Sequence, residues 1–353
     1  MASDENLVLK VTKAKAQKTR EFLENRGIFD ATRKVKQDGD HLLLPITEKT
    51  EGDVLTDLNH ENQCKTNLNT KIQNLAKEFL ENSWRPELSC DLPKHWEKHD
   101  DLIIFPINAF QEPIWNSVKI EFWTELSRLL QVQRLAKKSV ISNDDFRSPK
   151  IQMLLGQNTW ATKKENGIYY TWNITKSMFS VGNITEKQRI AQFQCKGQTI
   201  VDLFAGVGYF TLTYLIHSKA DFVYACEWNP EAVKALKLNL AKNKVQDKCQ
   251  VLAGDNRDTC PQGVADHVNL GLLPTAEMSY GVACRALKES GGVLHIHANV
   301  KTDEKQTWAD QTQVRIQDIL GPTWTTEQCC IFTVKSFAPK VLHLVLDLKC
   351  VPK

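Results

Sequence analysis

The sequence predicts a doubly wound α/β sheet over its second half, preceded by a smaller α+β region. Three observations carry that expectation. From Gly197 onward, short apolar runs alternate with helical stretches, the pattern of parallel strands buried on both faces. The first run, TIVDLFAG, leads into the turn Gly206-Val-Gly208, where glycine lets the chain reverse sharply at the carboxyl edge of a sheet. Acidic residues then end the second and third runs, as Glu227 and Asp255.

The elements follow in chain order. A helix over Ala14–Asn25 and the strand HLLLPI form a small unit over residues 1–46. Residues 47–70 are polar and turn-rich and read as a linker. The stretch 71–177 holds a helix over Lys71–Asn82, a strand at Leu102–Pro106 and a helix over Trp115–Leu130. It ends in a hairpin of IQMLLG and GIYYTWNI around the turn Glu165-Asn166-Gly167. The main domain spans 178–353, with strands TIVDLFAG, FVYACEW, CQVLAGDN, DHVNLGLLP and VLHIHANV. Its helices begin near Gly208, at Pro230, near Thr275 and at Asp303, and proline is a favourable first helical residue. Two further strands, CCIFTVKSF and VLHLVLDLKC, close it.

Composition bounds the function. At 353 residues, 42% hydrophobic and 25% charged, the chain has room for two globular domains. No apolar run approaches the ~20 residues that cross a bilayer, and Asp4 and Glu5 argue against a secretory or mitochondrial leader. The ten cysteines include no C-x-x-C pair, so a structural metal site is not expected. Reduced thiols in the cytoplasm are. Through Thr199 there are 29 Lys and Arg against 26 Asp and Glu; the rest has 16 of each, so the whole excess of +3 lies in the N-terminal part. A solvated charged face is one reading of these cations, Lys137 and Lys138 included. A polyanionic partner is the other.

The chemistry concentrates at the carboxyl ends of the strands. In Asp202-Leu-Phe-Ala-Gly206-Val-Gly208-Tyr-Phe210, Phe210 and Thr211 stand where a dinucleotide fingerprint has its third glycine. A ligand without a pyrophosphate does not need that glycine. Glu227, 21 residues past Gly206, is placed to accept two ribose hydroxyls, and Asp255-Asn256 to bond an adenine edge. This is the arrangement of class I, Rossmann-like S-adenosylmethionine (SAM)-dependent methyltransferases. Upstream, Thr185 reads as a helix cap, which puts Lys187 and Arg189 in a first turn where cations oppose the helix dipole. An exposed helix and a bound anion both accommodate that. His295 and His297 alternate on one strand and read as packed side chains rather than metal ligands. Trp228 suits either stacking on adenine or packing on the sheet.

MFSVGNITEKQR, followed by DLFAGVGYFTL, ACEWNP, GDN and GLLP, resembles the archaeal-eukaryotic superfamily of tRNA guanine N-1 methyltransferases and wybutosine-synthesising aminocarboxypropyltransferases. The likeness covers about Leu80 to the C-terminus, including VQRLAKKSVIS and KSFAPKVLHLVLDL. It implies an N-terminal RNA-binding region and SAM as cofactor, held by Ser180, Lys187, Asp202, Gly206, Gly208, Glu227, Asp255 and Asn256. It implies the anticodon arm of tRNA-Phe as partner, and a monomer is expected, with no membrane or metal. Methyltransferases of the superfamily carry Pro-Arg after the Phe-Ser pair; here Val181-Gly182-Asn183 follows. That departure implies transfer of the 3-amino-3-carboxypropyl group to a ring carbon of 4-demethylwyosine, with release of methylthioadenosine. Guanine N-1 methylation at the same position is the alternative, and a non-catalytic RNA-binding protein a third reading. No general base is identifiable from the sequence.

Overall fold

A computed structural model of the chain describes residues 8–25, 29–30, 34–46, 68–139, 150–177, 179 and 181–353. The expected linker over 47–70 lies outside the described residues except for its last three, which open a helix. The chain divides into two compact units, residues 1–94 with 112–129 and residues 95–111 with 130–353.

The first unit holds β1 (Val8–Thr12), α1 (Lys13–Asn25), β2 (Lys36–Asp38), β3 (His41–Pro45), α2 (68–80) and α3 (Ile120–Leu129). Strand β3 pairs antiparallel with both β1 and β2. Leu9, Val11, Ala16, Leu23, Leu44 and Ile46 form the core beneath α1. Phe122 of α3 meets Phe79 of α2 edge-on, with ring centroids 5.7 Å apart.

The second unit opens with β4 (Glu97–His99), β5 (Leu102–Phe105), β6 (Arg134–Lys138) and β7 (Ile151–Leu155), paired in that order. A hairpin of β8 (Trp160–Glu165) and β9 (Ile168–Asn173) follows. The expected hairpin therefore has a different first strand. IQMLL pairs with Arg134–Lys138 instead, and WATKKE partners β9. Asn166 and Gly167 both have positive φ, 47° and 77°, so the loop is a two-residue turn that can only join the residues flanking it.

The large sheet contains β10 (Thr199–Asp202), β11 (Phe222–Glu227), β12 (Cys249–Ala253), β13 (His267–Leu270), β14 (Gly292–Lys301), β15 (Trp324–Ala338) and β16 (Val341–Pro352). Their spatial order is β12-β11-β10-β13-β14-β16-β15. The first five run parallel. The last two are antiparallel, because a tight turn at Lys340 (φ 60°) folds β16 back between β14 and β15. Helices α4 (Ile184–Ile190), α5 (Thr211–Ile216), α6 (Pro230–Lys242), α7 (Asn256–Thr259), α8 (Tyr280–Ala286) and α9 (Lys305–Leu320) make the connections and flanks. Strand order reverses beside β10, and in open α/β sheets the crevice outside that switch point is where ligands bind.

The boundary expected at 177/178 does not divide the structure. Ile168, Tyr170 and Trp172 of β9 are buried in one cluster with Ile200, Val207, Tyr214 and Leu236. A buried amide fastens the same junction. Asn239 of α6 accepts from Thr171 N–H (2.6 Å) and donates to the carbonyls of Thr171 (3.0 Å) and Val207 (2.9 Å). Among the described residues, no helix is long and apolar enough to cross a membrane. Asn239→Leu leaves three backbone groups without a partner and should destabilise the fold by about 2–4 kcal/mol. Urea unfolding would read this as a lower midpoint at unchanged slope, whereas an unchanged midpoint would mean that water replaces the amide.

Candidate active site

The site is built outward from the end of β10. Asp202 is fully buried and accepts from Thr211 Oγ1 (2.7 Å) and Asn269 Nδ2 (3.0 Å). Burial pushes its carboxyl up, against these hydrogen bonds. It thereby ties the strand end to α5 and to β13. Next come Gly206 and Gly208, with φ of 57° and 100°, a region that L side chains rarely adopt. A Cβ on Gly206 would come within 2.8 Å of the Tyr209 ring, and one on Gly208 within 2.9 Å of a Leu236 methyl.

Glu227, the last residue of β11, holds this turn. Gly206 N–H donates to its Oε2 (2.7 Å) and Asn229 N–H to its Oε1 (2.8 Å). A carboxylate can accept at about four positions, so acceptor capacity beyond these backbone bonds is left for a ligand hydroxyl. Burial pushes the Glu227 carboxyl above its ordinary range. Asp255, at the end of the third strand, caps α7 by accepting from Arg257 N–H (2.9 Å), and the Arg257 guanidinium holds its carboxyl low. Asn256 is buried, donates to Leu203 O (3.0 Å) and accepts from Ser279 Oγ (3.0 Å).

Between these strand ends lies a cavity of about 250 Å³. Glu227, Asp255 and Asn256 contribute its polar wall, and Phe204, Phe210 and Leu272 an apolar one. Trp228 and Met278 also line it and are 53% and 64% exposed. Trp228 thus stands at the cavity, one of the two positions left open for it.

Not every residue expected to hold the cofactor lines this cavity. Glu227, Asp255 and Asn256 do; Gly206 and Gly208 do not line it themselves and carry the turn into Tyr209 and Phe210, which do. Asp202 lies beneath the turn, and Ser180 falls outside the described residues. Lys187 is 4% exposed, ion-paired to Glu165, and 4.9 Å from the Tyr170 ring centroid. Burial lowers its ammonium against the pull of Glu165. Arg189 is gripped by Glu186 through two bonds of 2.7 and 2.8 Å and reaches Asp347. The helix cap explains the discrepancy. It is Asn183, not Thr185, so in a helix of seven residues Lys187 and Arg189 occupy the last turn, where cations suit the dipole. Tyr209 and Met278 are cavity residues that the sequence analysis did not single out, and Asn183 and Phe210, noted there for their motifs, line the cavity as well. The pair Tyr209-Phe210 had a signal, since bulky side chains directly after a glycine turn must cover it.

His295 and His297 are buried on β14. His295 Nδ1–H donates to Asp347 (2.7 Å), and its Nε2 lies 2.9 Å from His267 Nδ1. Burial, followed by the His295 charge, holds His267 down at about 3.

A cavity at the switch point, with a carboxylate set for a diol, apolar walls and a turn built on two glycines, fits a nucleoside bearing a sulfonium chain. The fold and site are those of a class I SAM-dependent transferase. Comparison with known proteins agrees. Residues 161–318 match the family model described as the TRM5/TYW2 methyltransferase domain, 76–159 the TYW2 N-terminal domain and 9–54 the tRNA methyltransferase 5 N-terminal domain. A Danio rerio protein named tRNA wybutosine-synthesizing protein 2 homolog is 38% identical, with 98% of each chain covered. An Arabidopsis thaliana protein named tRNA wybutosine-synthesizing protein 2/3/4 is 42% identical over 75% of this chain, which spans only 27% of that longer protein. The crystal structure of P. horikoshii TYW2 in complex with MeSAdo is 28% identical, with TM-score 0.65 over 81% of this chain and all of that one. The chain belongs to the tRNA wybutosine-synthesizing protein 2 family, and it is a SAM-dependent transferase.

Glu227→Gln turns an amide NH₂ toward a backbone donor and removes a hydroxyl acceptor. SAM affinity should fall by about 1–3 kcal/mol. Because burial raises the Glu227 carboxyl while Arg257 lowers that of Asp255, wild-type affinity should weaken on acidification before Asp255 gains its proton. Calorimetry across pH should show that loss in the wild type and a flat, weak response in the variant. An equal acid loss in both would take Glu227 out of the contact.

Proposed function

We propose that this enzyme transfers the 3-amino-3-carboxypropyl group of SAM to a ring carbon of 4-demethylwyosine beside the anticodon of tRNA-Phe, in wybutosine biosynthesis. The observation that carries the reading is the Glu227–Asp255 cavity on a chain that matches a Danio rerio relative named for wybutosine synthesis over 98% of each chain. Bound SAM supplies a sulfonium flanked by three electrophilic carbons, so the carbon facing the nucleophile decides the product. Glu227 takes the ribose hydroxyls, Asp255 and Asn256 the adenine edge, and the turn at Gly206 and Gly208 lets the backbone come close. The nucleoside end is thereby fixed, and selection falls to whatever anchors the four-carbon chain. Lys187 and Glu165 support this wall from behind, through Tyr209 at the cavity edge.

The cations of the N-terminal part are the proposed hold on the RNA backbone, and tRNA affinity should then fall steeply with salt. The chain acts as a monomer in the cytoplasm in this reading. Its nine described cysteines are all free, as a reducing compartment keeps them.

Two labelled forms of SAM test the reaction. With tRNA-Phe bearing the precursor, label in the carboxyl group should enter the RNA and methylthioadenosine should be released. Methyl label in the RNA, together with S-adenosylhomocysteine, would assign the enzyme to guanine methylation instead.

A further inference from the structure

The cavity holds too little free positive charge for its proposed ligand. The four-carbon chain of SAM ends in a carboxylate, and a carboxylate in a partly enclosed site needs a cation or donors. Arg257, the cationic side chain on the described wall, is bound to Asp255. Lys187 is bound to Glu165.

One further ammonium stands at this edge. Lys335 of β15 is half-buried, and no carboxylate among the described residues lies within ion-pair distance of it. A β-bulge between Thr333 and Lys335 sets it opposite His343, and such bulges re-aim side chains. It points at the backbone of Gly182. A Cβ built there would fall on Nζ of Lys335, with Cε and Cδ only 3.2 and 3.3 Å away. Gly182 precedes Asn183, which lines the cavity. The absent side chain at 182 thus leaves the ammonium against the backbone one residue before the lining Asn183. The buried imidazole of His343 registers it as well: burial, then the Lys335 charge, holds it down at about 4.

We propose that Lys335 binds the carboxylate of the aminocarboxypropyl chain, reaching it past Gly182. This rests on the reading of the reaction given above. It also supplies the anchor that reading lacks, because the position at which the carboxylate is held sets which carbon on sulfur faces the base.

The test compares two ligands that differ in the anchored part: SAM, and methylthioadenosine, the same nucleoside without the carboxylate-bearing chain. Calorimetry would be run on the full-length wild type, Lys335→Met, Lys335→Arg and Gly182→Ala, with thermal melting to confirm folding. Lys335→Met should weaken SAM roughly 10- to 100-fold and leave methylthioadenosine unchanged. Lys335→Arg should recover most of the loss. Gly182→Ala displaces the ammonium with a single methyl and should show the same selective loss, which keeps the test available if the methionine variant misfolds. Equal weakening of both ligands, or no weakening of SAM, overturns the proposal. So does a loss confined to tRNA binding, which would assign Lys335 to an RNA phosphate. A wild type that binds SAM no better than methylthioadenosine would instead undermine the cofactor reading itself.

Discussion

The site depends on the two-point grip of one carboxylate on the backbone. Glu227 accepts from Gly206 N–H and from Asn229 N–H, so it joins the glycine turn after β10 to the start of α6 across the top of the sheet. Without that grip, the backbone conformations at Gly206 and Gly208 would have only packing to hold them. With it, both carboxylate oxygens are oriented in advance. Preorganisation of this kind means that a ligand does not have to order the acceptors that receive it.

Behind that edge, a layer of buried charges keeps the sheet and α4 in register. Glu186 is fully buried and grips Arg189, Arg189 reaches Asp347 on β16, and Asp347 accepts from His295 on β14. Burial raises the Glu186 carboxyl and, followed by neighbouring charge, lowers His297. These groups are costly to bury singly, and their mutual bonds make the arrangement tolerable. Asn183, which lines the cavity, stands at the start of the helix this network locks.

The parallel part of the fold was legible because its signals are local. A buried strand, a glycine turn and an acid 21 residues later recur at fixed distances along the chain, and the sheet brings their ends together without rearrangement. The pairing of IQMLL was not legible. Its partner lies at Arg134–Lys138, and an apolar run does not state which strand it adjoins. Lys187 and Arg189 were misjudged for a related reason. Their helix begins at Ile184, one residue before the threonine that looked like its cap, and their carboxylate partners at Glu165 and Asp347 are distant in sequence. Asp202 is among the cofactor contacts that the resemblance implies; that its two oxygens accept from Thr211 and Asn269 was not legible in the sequence. Lys335 opens the KSFAPKVLHLVLDL segment of the family likeness, but its approach to Gly182 was not legible, because 153 residues separate the two and a bulge precedes the lysine.

The most direct measurement is a crystal structure of this chain with SAM bound. The nucleoside should lie in the cavity between β10, β11 and β12, with both ribose hydroxyls on Glu227 and the adenine edge at Asp255 and Asn256. A nucleoside bound elsewhere, with Glu227 still holding only the amides of Gly206 and Asn229, would contradict the assignment of this cavity as the cofactor site.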